Sequence, residues 1–384
     1  MKELIRPELA AMVGYTPIEP TEILEQKAGQ KIVKLDGNEN PYGCSPKVYQ
    51  AIVSYPYYHI YPDPEQRELR NALEEYTGLR YQHIVCGSGS DELIDLILRL
   101  FLKPGDEVIN CSPTFGMYPF STDVCGGKLV DVPRSGDFSL DMVGIKKAIT
   151  VKTKVIFVAS PNNPTGNTST EQEIVKLVDT GKIVVVDEAY YEFSNITMAN
   201  LVPNYPNLIV LRTFSKWAGL AGLRIGYGFF PIEMVNYLMK IKQPYNVNVA
   251  AQAAVLASIA DIDYLRRNVA KIVTERERLF SKLLEFSWLR PYPSGGNFIL
   301  CSLKYSSELP ASCHDKGEKQ TKNLAQDKYN EESRAKIIWQ QIRQKGIFIR
   351  YFDTPRLKDY LRITVGKSED TDVLIEALKE VKNE

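Results

Sequence analysis

Lys216 ends the apolar run LIVLRTFS and precedes the small-residue stretch AGLAG. An ammonium buried at a strand end is costly to desolvate, so such a lysine is kept neutral or used covalently as a Schiff-base nucleophile. A lone strand-end lysine more often snorkels to solvent, so Lys216 gains meaning only from its company. Asp187 closes a second apolar run, IVVVD, and opens DEAYYEF. A carboxylate at the C-terminal edge of a parallel strand lies where α/β sheets hold ligands. There it can pair with a protonated heterocyclic nitrogen of a cofactor, or serve as an ordinary cap. Tyr190, three residues further on, can offer its hydroxyl to the same ligand.

Two loops add polar groups. SPNNPTG (160–166) follows the run KVIFVA and makes a tight turn that can project an asparagine amide into a pocket. CGSGSDELI (86–94) reads as strand, Gly/Ser loop and helix. The free amides of Gly89, Ser90 and Asp91 at that helix start form an anion site, aided by the helix dipole. The loop lacks the lysine of a Walker motif and does not spell G-x-G-x-x-G, which disfavours a nucleotide.

The elements that must position these groups alternate in type. Candidate strands are 83–86, 107–111, 128–132, 154–159, 182–187, 208–212 and 224–230, with helices at 91–101 and 170–180 among them. Apolar strands without period-two alternation, separated by helices, indicate a largely parallel sheet covered on both faces. Residues 231–286 read as helices, the last a long amphipathic one from about 262. Strands at 297–303, 347–352 and 360–366 and helices at 334–346 and 368–382 suit a small α+β domain. Residues 1–30 read as an arm, and the polar stretch 304–333 as an exposed insertion.

Composition narrows the function classes. The 384 residues carry 47 Lys plus Arg against 47 Asp plus Glu, which disfavours a nucleic-acid binder. A charged ligand must therefore be caught by local groups. No segment is long and apolar enough to span a bilayer, and the N-terminus shows no signal-peptide core. Six cysteines without a C-x-x-C pair form neither a disulfide framework nor a zinc motif, and Cys313 beside His314 lacks further ligands. A cytoplasmic protein without a metal site is the expectation.

In order along the chain, LDGNENPYG (35–43), GSGSDE (87–92), PTFGMY (113–118), SPNNPTG, DEAYYEF, TFSK (213–216) with Arg224 eight residues later, and LRITVG (361–366) resemble the fold-type I PLP-dependent aminotransferases. IRYFDTPRLKDYLRITVG (349–366) is particularly similar to the histidinol-phosphate aminotransferase subfamily. The resemblance implies a large domain over 41–285 and a small one over 286–384, with an arm over 1–40 that lends part of the small domain. It implies pyridoxal 5'-phosphate, with Lys216 as its covalent anchor and proton shuttle and Asp187 against the pyridinium nitrogen. Tyr190 and Asn163 would bond the ring hydroxyl oxygen, and Phe115, where the family often has tyrosine, would stack on the ring. Gly89, Ser90, Asp91, Ser215 and Arg224 would cradle the phosphate, with Ser90 standing where relatives carry alanine.

On the substrate side, the resemblance implies Arg362 and Arg350 as anion-binding arginines and Asn40 near the substrate. Tyr61 would be lent by the partner subunit of a homodimer with shared active sites. The implied activity exchanges the amino group between histidinol phosphate and 2-oxoglutarate in histidine biosynthesis. An aromatic-amino-acid aminotransferase, a threonine-phosphate decarboxylase-like enzyme and a non-catalytic PLP-binding regulator stay open at this point. The family usually has a much shorter loop where this chain has 304–333, so no role is carried over to that stretch.

Overall fold

The computed structural model describes residues 4–12, 14–15, 17–29, 31–303 and 333–381. The stretch 304–332, most of the expected insertion, lies outside the described residues. Twelve strands occur among the described residues. They are β1 Val33–Leu35, β2 Ile84–Gly87, β3 Glu107–Asn110, β4 Lys128–Asp131, β5 Thr153–Ala159 and β6 Ile183–Asp187, then β7 Leu208–Thr213, β8 Gly226–Phe229, β9 Leu289–Pro291, β10 Phe298–Leu303, β11 Ile347–Tyr351 and β12 Tyr360–Thr364.

β2 to β8 build one sheet in the order β2-β8-β7-β6-β5-β3-β4. All its pairings are parallel except those of β8, which runs antiparallel to both β2 and β7. Its central strands are mostly apolar because both faces are covered. Val184, Val186, Leu208 and Val210 join the core on one face. Val185, Ile209 and Leu211 face the other way, against Leu93, Ile94 and Ile97 of the helix Ser90–Phe101. That partition is the parallel-sheet signature anticipated from the sequence.

The second sheet runs β1-β11-β12-β10-β9, with β1 parallel to β11 and the other pairs antiparallel. It takes one strand from near the N-terminus and four from the C-terminal part. β1 and β9 span three residues each, too short for a periodic pattern to announce them.

Register decides what meets at the sheet edge. Ala159 of β5 and Leu211 of β7 flank Asp187 at the end of β6. The loops that leave these three strands therefore start side by side, and they carry Asn163 after β5, Tyr190 after β6 and Lys216 after β7. Beneath them, Arg212 Nε donates to Glu188 Oε2 at 3.0 Å and Nη2 to Thr197 Oγ1 at 2.7 Å, with the guanidinium 3.6 Å from the Tyr191 ring centroid. Glu188 also accepts from Thr197 Oγ1 (2.8 Å) and the Met198 amide (2.5 Å). This buried pair ties the end of β6 to β7, and removing one partner of such a pair typically costs about 3–5 kcal/mol.

Glu192 sits in the same cluster with both carboxyl oxygens buried. Burial pushes its pKa up to about 8, against a partial lowering by Arg212. Its folded pKa thus lies above the unfolded value, so its contribution to stability is fully present below about pH 4 and lost as pH rises through about 8. Glu192→Gln cannot ionise. Its melting temperature relative to wild type should rise steadily from acid to weakly alkaline pH, as measured by calorimetry. A pH-independent difference would contradict the buried acid.

Candidate active site

A cavity of about 720 Å³ opens between the C-terminal edge of the large sheet and the small sheet. At its floor lies Asp187, 4% exposed. Its Oδ2 accepts the Tyr118 hydroxyl at 2.7 Å and its Oδ1 the Ala189 amide at 3.1 Å. Burial pushes the carboxyl up to about 6, while these two donors pull it down. Such a group gains most from a cationic ring nitrogen placed against it.

Lys216 shares the cavity, and its Nζ donates to the Gly37 carbonyl at 3.0 Å. Desolvation, and then the nearby Arg362 charge, lower its pKa to about 8. Near neutral pH a useful fraction of this amine is therefore unprotonated and nucleophilic.

Tyr190 and Asn163 line the same space, and each is oriented from behind. Arg362 Nη1 donates to Asn163 Oδ1 at 2.5 Å, which turns the amide nitrogen of Asn163 away from the arginine as a donor. Asn38 Nδ2 donates to Tyr190 Oη at 2.9 Å. Phe115 also lines the cavity, edge-on to Tyr118 with centroids 5.6 Å apart.

Gly89, Ser90, Asp91, Ser215 and Arg224 gather at one end of the cavity. The helix Ser90–Phe101 points its N-terminus there, and Arg224 Nη2 meets Asp91 Oδ2 at 2.7 Å. Gly89 has φ +80°, and a Cβ on it would lie 2.8 Å from Arg224 Nη2. A Cβ on Gly226 would strike the Ser90 amide, so β8 packs its backbone directly under this turn. Together these make a cradle of amides, hydroxyls and one guanidinium suited to a phosphate.

Arg350 and Arg362 enter from the small sheet, on paired positions of β11 and β12. Arg362 also donates to the Asp36 carbonyl, while its buried Nε makes no hydrogen bond. Burial, and then the Arg350 charge, lower its pKa to about 10.

Asn40 is not brought to the cavity, and Tyr61, expected to serve the partner subunit's cavity, lies away from this one. Asn40 Nδ2 donates to the Trp217 carbonyl (2.8 Å) and its Oδ1 accepts the Tyr42 amide N–H (2.9 Å), and the residue does not line the space. Tyr61 is 78% exposed and stacks on Tyr245 at 4.5 Å. Conversely, Tyr118 and Asn38 touch the central groups and were not singled out from the sequence. Tyr118 lay inside the PTFGMY motif, whose apolar neighbours gave its hydroxyl no visible partner. Asn38 lies two residues before Asn40 in the same motif, with no local signal to set it apart.

The family described as aminotransferase class I and II matches residues 30–378. The chain is 48% identical over 381 residues to a histidinol-phosphate aminotransferase of Dehalococcoides mccartyi, covering 99% of this chain and 98% of that one. It is 44% identical over 387 residues to the histidinol-phosphate aminotransferase of Roseiflexus castenholzii, covering 98% of each. The crystal structure of histidinol-phosphate aminotransferase from Sinorhizobium meliloti, in complex with pyridoxal-5'-phosphate, superposes with a TM-score of 0.82 at 28% identity, covering 98% of this chain and 97% of that one.

The Tyr118–Asp187 bond has a direct consequence. Tyr118→Phe removes a donor to the ionised carboxylate, so the Asp187 carboxyl should hold its proton to higher pH than its present value of about 6. Infrared difference spectra of the cofactor-free protein against pH, referenced to Asp187→Asn, read that carboxyl band. An unshifted midpoint would show that the hydroxyl does not stabilise the ion.

Proposed function

The chain belongs to the class I and II aminotransferases, and from that premise we propose that it interconverts L-histidinol phosphate and 2-oxoglutarate with imidazole-acetol phosphate and L-glutamate, in histidine biosynthesis. The observation that carries the chemistry is a depressed lysine, a desolvated carboxylate and two arginines converging on one cavity with a phosphate-type cradle at its end. The choice of substrate within the family is supported by relatives 44–48% identical over nearly the whole chain.

The residues present fit pyridoxal 5'-phosphate. The glycine-lined cradle at Gly89 admits no side chain, and its donors suit a phosphate. Asp187 suits a pyridinium nitrogen, and Tyr190 and Asn163 suit an acceptor oxygen between them. Phe115 suits the face of an aromatic ring. When bound, this cofactor supplies an electron sink for the charge left as a proton leaves the amino-bearing carbon.

The chain's own residues do the rest. Ser90, Ser215 and Arg224 anchor the phosphate end and so fix the register of everything beyond it. Asp187 keeps the ring nitrogen protonated, because losing that proton would leave an uncompensated buried carboxylate. Lys216 Nζ, neutral in part near pH 7, would be the anchoring nucleophile, and once released it would move a proton between the substrate's amino-bearing carbon and the cofactor carbon it had held. Arg362 holds a substrate carboxylate or phosphate through its guanidinium fork, with Arg350 as a second cation for the longer, doubly charged substrate. The site lies at the meeting of a large domain, 41–285, with a small one, 286–384. β1 supports assigning part of the N-terminal 1–40 to the latter.

The reading includes a homodimer and a cytoplasmic location. Tyr49, Tyr57, Tyr58, Ile60 and Tyr61 are all exposed within one short stretch, and Tyr61 stacks on the exposed Tyr245, which supports a covering partner and Tyr61 serving the neighbouring chain's cavity. The free thiols of Cys44, Cys86, Cys111, Cys125 and Cys301 support a reducing compartment.

Purified protein loaded with pyridoxal phosphate and given 2-oxoglutarate should form glutamate far faster from histidinol phosphate than from phenylalanine or histidine. Preference for phenylalanine would contradict the substrate assignment. Mixing Tyr61→Ala with Lys216→Ala subunits, each impaired alone, should restore activity on verified subunit exchange, because one mixed site keeps both residues. Verified mixed dimers without that gain would place Tyr61 outside the neighbouring site.

A further inference from the structure

Asn38 is 1% exposed and sits at φ +52°, a left-handed conformation that asparagine tolerates better than most residues. It is held on every polar side. Its backbone N–H donates to Thr364 Oγ1 at 3.0 Å, and the Thr364 hydroxyl returns its own proton to Asn38 Oδ1 at 2.9 Å. Asn297 Nδ2 donates to the Asn38 carbonyl at 3.0 Å. With Oδ1 thus engaged, the amide nitrogen can only face Tyr190, whose oxygen accepts from it at 2.9 Å.

The direction of that last bond matters. A phenol oxygen that accepts an N–H still has one proton to give. Reversing the Asn38 amide would put its oxygen against the phenol and draw that proton out of the cavity. The bonds from Thr364 oppose the reversal, because its hydroxyl gives its own proton to Oδ1 and a turned amide nitrogen could not accept it.

We propose that Asn38 is a positioning residue that acts through Tyr190, holding its phenol as a hydrogen-bond donor into the cavity. This rests on the aminotransferase reading, in which that proton goes to the cofactor's ring oxygen and sets the proton affinity of the chromophore on Lys216. Thr364 lies on β12, two residues from Arg362, and Asn38 lies one residue from Gly37, which accepts from Lys216. The network therefore joins the substrate-anion strand, the lysine and the phenol through one amide.

The test follows the visible absorbance of the loaded enzyme against pH, alongside melting temperatures. Asn38→Asp keeps the shape but offers the phenol an acceptor. The pH at which the chromophore loses its proton should rise by about one unit, a tenfold change in proton affinity, as it should in Tyr190→Phe. Arg362, Asp187 and Tyr15, the titratable groups that act on Tyr190, are common to all the variants. In the Tyr190→Phe background, Asn38→Asp should add no further shift. An equal shift in both backgrounds would mean that the new charge acts alone, and no shift in either would mean that the amide does not orient the phenol. Both overturn the proposal.

Asn38→Gly suits the positive φ, removes the amide without adding charge, and carries the same comparison should the aspartate variant fold poorly. It should shift the chromophore upward with Tyr190 present and leave it unmoved with phenylalanine there. Equal shifts or none would overturn the proposal. A wild-type protein that forms no visible chromophore would refute the reading of the site, and the proposal falls with it. A chromophore that ignores Asn38 refutes the proposal alone.

Discussion

An acid and an amine are buried at the ends of neighbouring parallel strands, each where its charge is hard to keep. Asp187 is pushed up to about 6 and Lys216 down to about 8, in both cases chiefly by loss of water. Opposite shifts of this kind make the acid want a cation beside it and the amine want to be neutral. Tyr118 and Ala189 stop short of neutralising Asp187, and the Gly37 carbonyl holds Lys216 without supplying a countercharge. The rest of the cavity is arranged around that imbalance. A cationic heterocycle with an electrophilic carbon would relieve both groups at once, and the phosphate cradle fixes where it must lie.

The scaffold makes the imbalance sustainable. Covered faces on both sides of β6 and β7 provide the dry setting, and the Glu188–Arg212 pair clamps those strands where Asp187 and Lys216 leave them. β8, the one strand of the large sheet that runs against its neighbours, brings Gly226 beneath Ser90 and so seats the cradle on the sheet itself. The small sheet then adds Arg350 and Arg362 from above. Because β1 belongs to that sheet, the segment just after it, Asp36 to Asn38, reaches Arg362, Lys216 and Tyr190 together.

Groups that end apolar runs were legible in the sequence. Lys216 and Asp187 stand out because charge at the end of LIVLRTFS or IVVVD needs a reason, and the order of seven motifs supplied the family. The seven strands of the large sheet were legible as short runs rich in apolar residues, several of them separated by helices. Groups whose meaning lies in distant partners were not. Tyr118 meets Asp187 across 69 residues and Asn38 meets Tyr190 across 152, and no local pattern encodes such pairings. Asn38 and Asn40 are both asparagines of LDGNENPYG, yet Asn38, at a left-handed turn, lines the cavity and Asn40 does not, a difference the motif itself does not encode.

Whether Lys216 holds the cofactor covalently is read by borohydride reduction of the loaded protein followed by peptide mapping. The visible absorbance should be lost, and one reduced pyridoxyl adduct should be recovered, on the peptide containing Lys216. An adduct on any other lysine, with Lys216 unmodified, would contradict that role.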